Sequence, residues 1–192
     1  KSPYPKVYFS CLITGQNFIE NDPRTNETVG NGVAGKEHWF RVLNDTTNIN
    51  ELITSAQNFG CDGLKLFADI SGENAKRIIA EAKKQGLPIW SHGTLFEASP
   101  WNIIGSHSFS HADFFNFVTI EPVPDYKTFQ ESYTEVFDLT TISSSKMENY
   151  LDLLKQNNTV LDATLSVYEQ AGPNEQDVVD FAHKVTKFTF SK

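Results

Sequence analysis

The sequence predicts an α/β fold built on a parallel sheet, and three observations carry that prediction. Short apolar runs rich in β-branched and aromatic residues recur along the chain, segments with apolar residues at helical spacing separate them, and Gly, Ser or Asn punctuate the joints. Strands alternating with helices of about 10–15 residues require right-handed crossovers between parallel neighbours. Either an open doubly wound sheet or a (β/α) barrel satisfies the pattern. About five strands can be counted, so a barrel, which needs eight, would be incomplete.

The run KVYFSCLI at 6–13 reads as a buried strand closed by the turn Thr14-Gly15. Residues 15–36 supply Gly, Asn, Asp and Pro without apolar periodicity and read as a long loop, a length often tied to function. Residues 48–59 place Ile49, Leu52, Ile53 and Ala56 on one helical face, with Gly60 as terminator. GLKLFA at 63–68 is the next strand. Ser71 is the expected N-cap of a helix through Gln85, because Glu73 stands in its first turn and Gly86 follows its end. LPIWS at 87–91 is a short strand with its proline at the start, where a missing N–H costs least.

A helix is predicted over 95–104, stopped by Gly105, and a strand over 106–111. Residues 121–145 are the most irregular stretch, with helices predicted at 128–136 and 145–157. A strand at 159–167 and an amphipathic helix at 175–188 complete the pattern. The expected organisation is one domain over 1–192, without repeats, low-complexity tracts or a linker.

Composition excludes some functions. The formal charge of -8, from 24 acidic and 16 basic residues, offers no basic face to phosphates, so nucleic acid is not an expected partner. No run approaches the roughly 18 apolar residues of a membrane span. A soluble protein is expected, with cytoplasmic, periplasmic and secreted locations all open. Cys11 and Cys61 each lie at or beside a predicted strand and read as buried thiols.

Three polar residues fall at the carboxyl ends of successive predicted strands: Lys65, His92 and His111. Sites are assembled at those ends in both barrel and open-sheet α/β folds. Two imidazoles beside a lysine suit a zinc-type centre, where ring nitrogens bind the metal and the metal lowers the pKa of a water. An ammonium has no lone pair, so the lysine would serve as a ligand only as a carbamate formed with carbon dioxide. His107 stands four residues before His111 and would face the same side of an extended strand, so it is a further candidate. Asp62, Asp69 and Asp113 flank the same ends and could in principle serve as acid–base groups, although capping or solvation of the turns is the favoured account of them. Taken singly, each of these residues is ordinary; their order and spacing are what single them out.

The stretch 59–113 resembles the central signature of the amidohydrolase superfamily, especially its imidazolonepropionase-like and Xaa-Pro dipeptidase-like branch. The matching pieces are FGCDGLKLFADIS, IIAEAKKQGLPIWSHG, and IIG followed by SHSFSHAD. The resemblance implies an incomplete TIM-type barrel lacking the first strands and the last. It implies Lys65 as a carboxylated lysine bridging two metals, with His92 and His111 as ligands after the fifth and sixth strands. PKVYFSCLITG and DATLSV are more loosely similar to the third strand and to the Thr-containing strand after the sixth. The family's His-x-His pair and its final-strand aspartate have no counterpart here, and Ser110 stands where the family usually has Glu.

The implied activity is hydrolysis of a C–N bond, an amide or cyclic amide, through metal-activated water. The implied cofactor is one or two divalent ions, zinc by preference, and the implied partner a small-molecule substrate. Two other readings stay open: a Schiff-base lyase using Lys65 as an amine, and a non-catalytic partial barrel. The latter would need its sheet edges covered by a second copy or by the rest of a longer polypeptide.

Overall fold

The computed structural model describes residues 4–22, 24–118 and 144–164. Its centre is a seven-stranded sheet in the order β2-β3-β1-β4-β5-β6-β7. These strands are Lys36–Glu37 (β2), Phe40–Val42 (β3), Ser10–Thr14 (β1), Gly63–Leu66 (β4), Ile89–His92 (β5), Ser108–Ser110 (β6) and Val160–Asp162 (β7). All neighbours are parallel except the β2–β3 pair. The strands β1, β4, β5, β6 and β7 lie side by side in chain order, the arrangement of consecutive (β/α) units in a barrel wall.

The helices α3 (Ile49–Phe59), α4 (Gly72–Lys84) and α5 (Ser144–Gln156) and two 3-10 turns, Pro100–Ile103 and Asp113–Val118, share one apolar core with the strands. Local sequence explains α3 and α4. Asn48 Oδ1 accepts from the Glu51 N–H at 3.3 Å and Ser71 Oγ from the Asn74 N–H at 3.3 Å, each satisfying a donor of the first turn. Gly60 then ends α3 at φ 98°, a left-handed conformation that glycine adopts without a Cβ penalty. The stripes Ile49, Leu52, Ile53, Ala56 and Ala75, Ile78, Ile79, Ala82 are buried against Cys11, Ile13, Leu64, Leu66, Ile89 and Phe109.

A second, aromatic cluster of Phe18, Phe40, Ala68, Phe96 and Phe117 packs with Leu12 and Phe67. Phe18 belongs to α1 (Gln16–Asn21), which precedes α2 (Arg24–Val29).

Several sequence expectations are corrected. The strand expected at 6–13 begins only at Ser10, where pairing with β4 starts at Gly63; Val7 and Tyr8 are exposed. The loop expected at 15–36 holds α1 and α2, each six residues long and too short to display an apolar stripe. β2 and β3 were not anticipated, and they raise the strand count from five to seven.

The helix expected at 95–104 is a 3-10 turn at Pro100–Ile103 alone. Phe96 and Glu97 are left-handed (φ 47° and 100°), Ser99 is extended before Pro100, and Leu95 and Ala98 bond the backbone of Ile70 instead. The predicted strand at 159–167 is seen as Val160–Asp162, with 165–167 outside the described residues. The helices expected at 128–136 and 175–188 also lie outside them, whereas that at 145–157 appears as α5. Among the described residues no helix is long and apolar enough to cross a membrane. Both cysteines are buried and free, and burial first of all pushes the Cys11 thiol up to about 12.

Candidate functional site

Side chains alternate across a strand, so the neighbours of the residues in the apolar core emerge on the opposite face. On β4 the buried Leu64 and Leu66 flank Lys65, which is half-buried. On β5 the same alternation brings out Trp90 and His92, and on β6 it brings out Ser108 and Ser110. Register aligns Lys65 with Trp90 and Ser108, and two residues further along it aligns His92 with Ser110 and Asp162. The chain then turns at His111, directly after β6.

Lys65, His92 and His111 are thereby brought together. Lys65 Nζ donates to Ser110 Oγ at 2.8 Å. His92 Nε2 and His111 Nε2 are 3.2 Å apart, with their rings nearly perpendicular. Phe67 lies against the His92 ring at 4.3 Å between centroids and separates it from Phe18. His111 is held by its own N–H, which donates to Asp162 O at 2.8 Å, and by Nδ1, 2.6 Å from Thr164 Oγ1. His111 adopts φ 71° and Thr164 φ 47°, left-handed conformations that cost a non-glycine residue about 1–3 kcal/mol and persist where the surroundings over-determine them.

The electrostatics follow from burial. Removal of Lys65 from water disfavours its ammonium and brings its pKa down to about 8, against the opposing pull of Asp162. His92 is lowered to about 3, first by burial and then by its electrostatic interactions with Lys65 and with His111. Near neutral pH the His92 imidazole is therefore uncharged and keeps a lone pair, and part of the Lys65 population is free amine.

Tested as a metal centre, this group offers two nitrogens and one convertible amine. Among the described residues no group of three or more His, Cys, Asp or Glu is placed to hold a metal ion. The 3.2 Å separation of the two Nε2 atoms is nonetheless close to the roughly 3.3 Å spanned by two ligands at about 2.0–2.1 Å on a tetrahedral zinc. A carbamate on Lys65 would supply the oxygen donor that the amine cannot. The donor set fits one divalent ion on that condition.

Other candidates go elsewhere. His107 does not join the group. Its Nδ1 accepts from the Ile89 N–H at 3.1 Å, which ties it to the first residue of β5, at the opposite end of the strand from His92. The expectation that His107 and His111 share a face fails because β6 spans only Ser108–Ser110 and the chain turns at both ends. Asp62 Oδ2 accepts from the Phe9 N–H at the amino end of the sheet. Asp69 accepts from the Asn17 N–H at 2.6 Å and from Asn17 Nδ2 at 3.0 Å, holding the start of α1. That contact explains Gly15: an added Cβ would fall 1.6 Å from the Asp69 carbonyl oxygen.

Thr164 and Asp162 were not singled out from sequence. Their signal was the period-two polar alternation Asp162, Thr164, Ser166 within TVLDATLSV, at the end of a strand where sites form.

No protein-family model and no curated protein matches this chain. Its fold is similar to that in the crystal structure of A. niger ochratoxinase, with TM-score 0.51 and 17% sequence identity over 96% of this chain and 42% of that one. A Xaa-Pro dipeptidase crystallised with methionine in its active site gives TM-score 0.45 and 16% identity over 84% of this chain and 34% of that one. The chain thus spans about two-fifths of the ochratoxinase's length. The ochratoxinase likeness is one of fold, a mixed α/β chain with a mostly parallel sheet of consecutive (β/α) units.

Proposed function

We propose that this chain is part of a metal-dependent hydrolase of the amidohydrolase type, acting on the C–N bond of an amide or cyclic amide in a small-molecule substrate. The observation that carries the reading is the convergence of Lys65, His92 and His111 from β4, β5 and the end of β6 on one face of the sheet. The resemblance of residues 59–113 to that superfamily and the fold shared with the ochratoxinase support it.

Lys65, as a carbamate, with His92 and His111 through their ring nitrogens would hold a divalent cation, zinc by preference. When bound, such an ion polarises a carbonyl and lowers the pKa of water to about 7. The chain's own residues do the preparation. Burial keeps His92 neutral, Ser110 fixes the direction of the Lys65 amine, and Phe67 closes one side of the His92 ring against water.

Elemental analysis after equilibration with zinc and bicarbonate tests this. Stoichiometric zinc is expected in the wild-type chain, with loss in His92→Ala and in His111→Ala and reduced retention when bicarbonate is withheld. Absence of bound zinc from the wild-type chain would count against the metal reading. One observation favours a second reading: an amine with a pKa of about 8, hydrogen-bonded to a neutral hydroxyl, is also suited to a Schiff base. Borohydride trapping of a carbonyl compound on Lys65 without metal would select that alternative.

A further inference from the structure

Three contacts fix His111, and they come from three directions. Its backbone N–H donates to Asp162 O, its Nε2 faces His92 Nε2, and its Nδ1 lies 2.6 Å from Thr164 Oγ1, the shortest of the three. The last contact spans two segments that leave the sheet together. β6 and β7 pair up to Ser110 and Asp162, after which both chains turn, and the Thr164 N–H donates to Asp162 Oδ1 at 3.3 Å.

Thr164 makes that turn at φ 47°. A β-branched residue in the left-handed region is a genuine outlier, because its branched Cβ crowds the backbone. Asn or Gly would relieve the conformation. What threonine provides in return is a hydroxyl at His111 Nδ1.

We propose that Thr164 is a positioning residue for His111: its Oγ1 accepts the Nδ1–H hydrogen bond, so that Nε2 carries the lone pair and faces the space shared with His92 and Lys65. One hydrogen fits between the two Nε2 atoms at 3.2 Å. If it resides on His92 Nε2, His111 carries its proton on Nδ1 and directs it at Thr164. The partner on the far nitrogen of an imidazole sets which nitrogen is free to bind. The use given to Nε2 rests on the metal-binding reading above; the orientation and tautomer do not.

Ring 15N–1H correlation spectra of the metal-free protein test the assignment. They are recorded where the ring signals no longer move with pH, and the His111 signals are identified by their loss in His111→Gln. The wild-type ring is expected as the Nδ1–H tautomer, with conversion to a mixture or to Nε2–H in Thr164→Val and restoration in Thr164→Ser. Zinc affinity is expected to fall about 10–100-fold in Thr164→Val and to recover in Thr164→Ser.

A wild-type Nε2–H tautomer overturns the proposal, as does a folded Thr164→Val with an unchanged His111 spectrum. Should Thr164→Val fail to fold, the wild-type tautomer and its retention in Thr164→Ser decide. If the tautomer responds as expected but the wild-type chain binds no zinc, the positioning role stands and the metal reading falls.

Discussion

The two faces of β4, β5 and β6 are made by the same short strands and have opposite characters. Toward the helices stand Leu64, Leu66, Ile89, Ser91 and Phe109, all at 0–1% exposure. Toward the other side stand Lys65, Trp90, His92, Ser108 and Ser110, each half-buried. Lys65, Trp90 and His92 are thus covalently flanked on both sides by buried residues, and Ser110 on one side by Phe109, which fixes their backbone without using their side chains. The helix-facing side supplies rigidity, and the other side, partly removed from water, supplies shifted acid–base properties.

The contrast is broken most strongly from the packed side. Phe109 is fully buried, and Phe109→Ala removes a ring that the surrounding core can refill only in part. A loss of about 3–5 kcal/mol is expected in urea-induced unfolding, enough to threaten a small domain. A loss below about 1 kcal/mol would mean that the two faces are not partitioned as described.

From the other side the effect should depend on pH. His92 has a folded pKa of about 3, below the unfolded value of 6.5. As pH falls through 6.5 the unfolded chain takes up a proton that the folded chain refuses. Stability is therefore lost between pH 6.5 and about 3, at up to about 1.4 kcal/mol per pH unit from this group. His92→Phe, which keeps an aromatic ring beside Phe67, is expected to flatten that part of the stability–pH curve. An unchanged acid slope in denaturant titrations would show that burial of His92 does not govern it.

Legibility from sequence followed the same division. α3 and α4 could be read because caps, apolar stripes and terminators agreed within 11- and 13-residue helices. β4, β5 and β6 were found to within a few residues, and Lys65, His92 and His111 were singled out because strand ends are where polar residues gather. β2 and β3 were not legible: two and three residues long, they owe their pairing to β1 and to each other rather than to local pattern. The segment 95–104 failed for a physical reason too. Its composition tolerates a helix, but backbone bonds to Ile70 hold it in a loop. Thr164 was missed because its role depends on a left-handed backbone, which no periodicity reports.

The smallest expected effect concerns the two histidines at the ends of β6. His107 and His111 are separated by three residues, yet one ring accepts a backbone N–H at the start of β5 and the other meets His92 at its end. The His107 side chain is exposed, so in His107→Ala water can take over the Ile89 N–H, and the cost should be about 0.5–1.5 kcal/mol. Zinc retention should equal that of the wild-type chain, whereas His111→Ala should abolish it. Equal loss of zinc in both variants would place His107 among the ligands and require a β6 that carries both rings to one end of the sheet.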